Sequence, residues 1–455
     1  MRSDEPMRLG SGAIVGLTLA LTCVVASAAE ENLFRLLHRD HEAAQARADL
    51  INSAATSIET SYYWIGDDRV GAWYVSLLKN AALRGVRVRL VVDAEHNDIP
   101  PAVQEHLSAC GVHIKEYHPH FTGHPGWQDR RMHDKTLIVD GRHLLVGSRN
   151  IRDSHFGRAR LNYVDRDAYL YGGVARQARR YFDCLWLSDQ VRATDFRLTV
   201  VQRLRLGTSQ NDREVSPASA RNLCPEAWLA AGCGLTVCGE PIDCCLERDW
   251  SADACPVECV SFVYDLCGIK GAPRSIEEQL LRLLDRACAS IVLETPYFVM
   301  SREEKQALAA AAARGVHVTL LTNSLASTDH LIVAAEFTNQ RHWLLARGVE
   351  IWELAGPNHL HAKSAVVDGE IAFVGSYNFD PRSQSLNTET GVIVHDAAVA
   401  EWVLDSIGEH MSRSYQFTAD GRAVVDGSRN PGAPLGRIIG IQPLRLLVPL
   451  VRRTL

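Results

Sequence analysis

Two distant stretches of the chain carry the same succession of apolar and polar positions. Residues 57–63 (SIETSYY) read as a buried strand running into a loop. Residues 75–83 (VSLLKNAAL) then space their apolar side chains as a helix does, Arg84 and Gly85 break it, and residues 86–93 (VRVRLVVD) alternate as a strand. In the second half, residues 290–297 (SIVLETPY), the helical 305–313 (KQALAAAAA), Arg314 with Gly315, and 316–322 (VHVTLLT) repeat that order. Glycine suits the left-handed position just past a helix end, so each Arg-Gly pair predicts a helix stop.

The repeat continues into a pair of hairpins. Residues 133–140 (HDKTLIVD) pass through Gly141 and Arg142 into 144–150 (LLVGSRN), and residues 361–368 (HAKSAVVD) pass through Gly369 and Glu370 into 371–378 (IAFVGSYN). His133 to His361 and Asn150 to Asn378 are both displaced by 228 positions, and Arg84 to Arg314 by 230. A near-constant displacement over successive elements is a duplication. Alternating strands and helices in each copy predict a duplicated α/β sandwich with mixed sheets, related by a pseudo-twofold and sharing one active site.

What lies outside the copies sets the remaining boundaries. The first copy reads as residues 30–205 and the second as 271–416. Between them, 206–270 breaks the pattern and is dense in cysteine: Cys224, Cys233, Cys238, Cys244, Cys245, Cys255, Cys259 and Cys267. No C-x-x-C pair and no histidine between His155 and His317 argues for zinc, so an inserted, disulfide-stapled surface element is expected. At the front, Arg2 and Arg8, the apolar run 13–26 and the A-x-A of Ala26, Ser27 and Ala28 predict a signal peptide over 1–28, or an uncleaved anchor. Export to the periplasm or cell envelope follows from that reading. The tail, 417–455, ends in an apolar stretch punctuated by Arg437, Arg445, Arg452 and Arg453, broken by Pro443 and Pro449. It is too short and too proline-broken to span a bilayer, which leaves two readings open, a segment touching a membrane surface and a solvated tail with a core-docking apolar side.

The candidate chemistry sits where the copies match. In a strand, side chains at i and i+2 share a face, so His133 projects with Lys135 and His361 with Lys363. Each pair sets an imidazole beside a fixed positive charge suited to a phosphate oxygen. Asn150 and Asn378 follow at equal distance after Gly-Ser steps, and their amides, with Ser148 and Ser376, are expected at the same phosphate. Two histidines on opposite sides of one phosphorus allow a double displacement. One attacks and forms a phosphohistidine, and the other protonates the leaving oxygen and then deprotonates the acceptor. Two lysines and two asparagines steady the equatorial oxygens. No metal or other cofactor is called for, and no clustered carboxylates of a two-metal site are evident. The net charge of −6 weighs against nucleic acid as the main partner.

The doubled motif resembles the signature of the phospholipase D superfamily from about residue 34 to 415, leaving out the cysteine-rich insert. Residues 375–383 (GSYNFDPRS), 386–389 (LNTE), 321–329 (LTNSLASTD), 131–133 (RMH) and 147–151 (GSRNI) look most like bacterial cardiolipin synthases of the C-type subgroup. The resemblance implies that the first motif histidine, His133, is the usual nucleophile and His361 the acid and base, although pseudo-symmetry lets either serve. It also implies a carboxylate behind each histidine. Glu389, 28 residues after His361, fits that place in the second half, and Asp165 fits it in the first. The motif aspartates Asp140 and Asp368 are carried with the catalytic set, a hairpin-holding role being the alternative. Neither the insert nor the export signal is part of the subgroup's pattern.

The expected activity is transfer of a phosphatidyl group onto phosphatidylglycerol at a membrane surface. The rivals are a phospholipase D that passes the same intermediate to water, a secreted metal-independent nuclease, and a non-catalytic envelope protein.

Overall fold

The computed structural model describes residues 31–117, 129–194, 224–245, 248–266 and 275–451. The leader, with Cys23, and Cys267 lie outside them. Two mixed sheets run through the chain in matching strand order. In the first, Val112–Tyr117, Arg87–Asp93, Ser57–Tyr62, Lys135–Val139, His143–Gly147, Asp167–Tyr171 and Asn32–Leu37 lie side by side. In the second, Glu350–Leu354, His317–Asn323, Ser290–Glu294, Ser364–Val367, Ile371–Gly375, Asn387–His395 and Cys259–Asp265 repeat that order. The first three strands of each series are parallel and the rest antiparallel. The duplicated, mixed α/β fold is therefore present strand by strand.

Helices Asp40–Ser53, Arg69–Leu83 and Pro101–Ala109 cover the outer side of the first sheet through a core that includes Ile58, Leu90, Leu137 and Leu145. Helices Ser275–Arg286, Arg302–Ala313 and Leu331–Leu345 do the same for the second, over Leu293, Leu320 and Ala365. A third core is shared between the halves: Ile138, Val146 and Leu170 from one sheet and Val366, Val374 and Val392 from the other, with helices Gly173–Leu187 and Ala397–Met411. This shared apolar layer fixes the two motif strands relative to each other.

The second sheet begins inside the segment read as an insert. Cys259–Asp265 pairs along its length with Asn387–His395, while Cys255–Val257, just before it, pairs with Asn32–Leu37 of the first sheet. The expected disulfides do not form among the described residues: Cys224, Cys233, Cys238, Cys244, Cys245, Cys255 and Cys259 are all free thiols. Two tryptophans hold the segment instead. Trp228 and Trp250 are each 1% exposed in the first half's outer core. Their indole nitrogens donate to Asp67 at 2.7 Å and Asp49 at 2.9 Å. An aromatic that buries its body and pairs its N–H supplies the anchoring that crosslinks were expected to give.

Candidate active site

Each motif histidine stands just before its strand, and a strand from the other half fixes it. Arg131–Met132 pairs with Asn387 and Thr388, and the His133 amide donates to the Thr388 carbonyl at 3.1 Å. His359–Leu360 pairs with Tyr163–Val164, and the His361 amide donates to the Val164 carbonyl at 2.8 Å. The residue after each acceptor is a carboxylate, so the pairing sets Glu389 beside His133 and Asp165 beside His361. Nδ1 of His133 lies 3.0 and 2.9 Å from the two oxygens of Glu389. Nδ1 of His361 lies 2.6 Å from Asp165. The two carboxylates expected from the resemblance are thus at the site, but crossed: each half supplies the partner of the other half's histidine.

A carboxylate on Nδ1 makes that nitrogen the protonated one and leaves the Nε2 lone pair free. The histidines are 7% and 8% exposed, so only an edge of each ring reaches solvent. Burial, then the ammonium groups of Lys135 and Lys363, hold His133 well below its ordinary pKa; burial and Lys363 do the same for His361. Both lysines are 1% exposed, and each donates to the carbonyl of its own histidine at 2.6 Å. Burial brings Lys363 down to about 8, and burial with the neighbouring Lys363 charge holds Lys135 well below the usual lysine range. A tyrosine stands edge-on to each imidazole, Tyr63 at 4.9 Å from His133 and Tyr163 at 5.1 Å from His361.

The other expected residues divide. Asn150 and Asn378 are buried at the site, and the side-chain oxygen of each has no hydrogen-bond partner. Ser148 and Ser376 do not face a substrate. They are fully buried and donate to the carboxylates, Ser148 to Asp165 at 2.6 Å and Ser376 to Glu389. Asp140 and Asp368 are at the far ends of the motif strands, roughly 20 Å from the histidines at the usual rise per residue. Asp140 accepts from the amides of Ala55, Thr56 and Ser57, and Asp368 from those of Cys288, Ala289 and Ser290. Both adopt positive φ, 52° and 54°, before the turn glycines. They hold the hairpins to the neighbouring strands and touch no reacting group.

The sequence reading missed the residues that surround the carboxylates. His155 donates from Nδ1 to Asp165 at 2.7 Å, meets the Asn150 amide through Nε2 at 3.3 Å, and stacks on Tyr163 at 4.4 Å. In the second half, Ser383 and Asn387 donate to Glu389 at 2.7 and 3.2 Å. The 228-residue displacement carries His155 onto Ser383, a signal available in the sequence. Next to Asp165, Arg166 pairs with Glu294 of the other half, which also accepts from His410. Arg166 and His410 hold Glu294 at about 2 against its burial. Removing one partner of a buried pair of this kind costs about 3–5 kcal/mol, so the ion cluster ties the halves together at the site.

Among the described residues one group has the makings of a metal site, His155, Asp165 and His361, whose ligand atoms lie within 4.8 Å of one another. The fit is poor. Ligands about 2.0–2.1 Å from a tetrahedral ion stand roughly 3.3 Å apart. The nitrogen–oxygen separations of 2.6 and 2.7 Å are those of hydrogen bonds.

Residues 48–186 and 280–411 match the family described as "Cardiolipin synthase, PLD-like domain". Cardiolipin synthase C of Escherichia coli is 28% identical over 81% of this chain and 82% of its own length. Cardiolipin synthase 2 of Bacillus anthracis is 25% identical over 85% of this chain and 66% of its own. The crystal structure of phosphatidylserine synthase from Haemophilus influenzae superposes with a TM-score of 0.64 at 14% identity, covering 93% of this chain and 95% of that one. That last likeness shows a common fold. With each motif histidine held by a carboxylate from the opposite half of a duplicated fold, the chain belongs to the cardiolipin synthase, PLD-like family and is an enzyme of the phosphatidyltransferase and phosphodiesterase class.

Proposed function

We propose that the chain is a phosphatidyltransferase of cardiolipin-synthase type, working through a phosphohistidine on His133 with phosphatidylglycerol as acceptor. The observation that supports this most is the pair of buried imidazoles, each with Nδ1 on a carboxylate from the opposite half, beside two buried ammonium groups. Nε2 of His133 attacks the phosphorus of the donor lipid. The P–N bond forms as the P–O bond to the headgroup alcohol breaks, and imidazolium His361 gives its proton to the departing oxygen. His361, now neutral, takes the proton of the acceptor hydroxyl; that oxygen forms the new P–O bond and frees His133. Lys135, Lys363 and the amides of Asn150 and Asn378 stabilise the charge that spreads over the phosphoryl oxygens. The identity with cardiolipin synthase C supports lipid as the substrate over nucleic acid, as does the net charge of −6.

The test is a lipid-exchange assay on purified protein with labelled phosphatidylglycerol and EDTA. Cardiolipin as the labelled product is expected. Phosphatidic acid in its place would turn the reading to a hydrolase, and turnover retained by His133→Ala and His361→Ala would end the histidine mechanism.

A further inference from the structure

The helix Leu435–Val451 is apolar on two sides, and only one of them is covered. Its inner side sets Ile441, 2% exposed, and Val448, fully buried, against Leu325 and Ala335. Its outer side bares Leu435, Ile439, Leu446 and Leu447 at 70, 63, 81 and 51% exposure. At 100° per residue these four fall within one arc of the helix, with Pro443 among them. They are four of the nine large hydrophobic residues exposed among the described residues, so the clustering is not background.

The charge of the segment says what covers that side. Residues 435–455 contain Arg437, Arg445, Arg452 and Arg453 and no aspartate or glutamate, in a chain whose net charge is −6. Arg437 and Arg445 lie on the packed side, with Arg437 on three carbonyls and Arg445 on the Asn339 side chain. The positive charge therefore borders the bare arc, and a second copy on this face would bring two such borders together. A surface rich in anionic headgroups would neutralise them while its acyl boundary took the leucines. No helix among the described residues is long and apolar enough to cross a membrane, so the helix would lie in the surface.

Its position relative to the site is direct. The Arg437 guanidinium donates to the carbonyls of Leu325, Ala326 and Thr328 at 3.0, 3.2 and 2.8 Å. The next residue, Asp329, accepts from the hydroxyls of Tyr163 and Tyr297 at 3.1 and 2.8 Å, and Tyr163 is the ring against His361. We propose that Leu435–Val451 docks in the headgroup layer of an anionic phospholipid bilayer and so holds the wall of the active site at the surface where its substrate resides. The proposal rests on the phospholipid reading of the site.

The experiment compares the full chain with an Ile439→Gln, Leu446→Gln double variant, whose changed side chains are solvent-exposed and leave the packed side intact. Both are sedimented with vesicles of phosphatidylcholine alone and of phosphatidylcholine with phosphatidylglycerol. Both are also assayed on a short-chain phosphatidylglycerol dispersed below its micelle concentration. Binding of the parent to the mixed vesicles, weakened by salt, with a loss of about tenfold or more in the variant, is expected. Equal turnover of the dispersed lipid by both proteins is also expected. Vesicle binding unchanged by the double substitution would overturn the docking, as would a parent dimer that the substitutions split into monomers without any vesicle binding. Turnover of dispersed lipid without vesicle binding would leave the chemistry standing and remove the docking. Substitution-sensitive vesicle binding with no lipid turnover would do the reverse.

Discussion

The two halves match strand for strand, yet their buried carboxylates live in different company. Asp165 accepts from Ser148 and from two imidazoles, His155 and His361. Glu389 accepts from one imidazole, His133, and otherwise from Ser376, Ser383 and Asn387. Burial alone would raise both. His361 and His155 overcome it and hold Asp165 well below the usual carboxylate range, whereas Glu389 is pushed up to about 7. His361 therefore faces a fixed anion, which works against the burial and the Lys363 charge that lower it and steadies the imidazolium as it forms, and so suits the proposed acid. His133 faces a carboxyl near its own titration and stays neutral, which suits the proposed nucleophile. A duplicated scaffold has been given two roles by its surroundings, with His155 standing where the other half has Ser383.

The strongest way to break this comparison is to label the intermediate. His133→Ala and His361→Ala should each lose about four orders of magnitude in turnover, and far less than additively together. With a nitrophenyl phosphodiester, whose leaving group needs no acid, His361→Ala should still accumulate a phosphohistidine and His133→Ala should not. The opposite labelling would exchange the roles. Next, Asp165→Asn should cost about a thousandfold in kcat and Glu389→Gln about a hundredfold, measured by steady-state kinetics, because Asp165 orients two rings. Equal losses would remove the distinction between the halves.

Substituting the divergent residue sharpens it further. His155→Ser gives Asp165 the second half's kind of neighbour. The kcat should fall about tenfold, and the alkaline limb of its pH profile should move to higher pH, because the His155 charge that lowers His361 is gone and Asp165 is left to His361 alone. The nitrophenyl substrate should show neither change. A pH effect of similar size is expected from Lys363. Its ammonium anchors phosphate below about 8 and is lost above it, so kcat/KM should decline as pH rises through that value. Stability should move the other way: between about 8 and the usual lysine range the unfolded chain binds more protons, so it rises with pH there. Lys363→Arg should push the activity decline upward. The smallest effect on catalysis belongs to Asp140→Asn. Loss of hydrogen bonds to residues 55–57 should cost about 1–3 kcal/mol in thermal unfolding, with kcat unchanged. A large fall in kcat would return Asp140 to the catalytic set.

Much of this was legible along the chain because it is local. The hairpins from His133 and His361, the helix stops at Gly85 and Gly315, and the 228-residue displacement are all short-range patterns, and they lead to the duplicated sheet. What was not legible depends on pairing between distant segments. Nothing near His133 in sequence points to Glu389, 256 residues away, and nothing near His361 points to Asp165, 196 away. Each pairing comes from a two-residue strand too short to carry a periodic signal. The aspartates misled because a strand separates them from their own motif's histidine, and spacing alone does not say which end faces substrate. In the cysteine-rich segment, composition pointed to crosslinks, but Trp228 and Trp250 carry the docking through burial, which composition does not register.

The exchange of carboxylates between the halves bears on ancestry and on assembly. A polypeptide consisting of one half would hold a histidine without its orienting acid and an acid without its histidine. Two such polypeptides would complement each other at both positions, so the present chain is organised as a dimer whose subunits have been joined by a covalent bridge. The described residues of the bridge have no share in the reacting groups, which is how a segment of unrelated composition can be accommodated there. A chain cut between Thr194 and Cys224, its fragments made together, should regain turnover that neither fragment has alone.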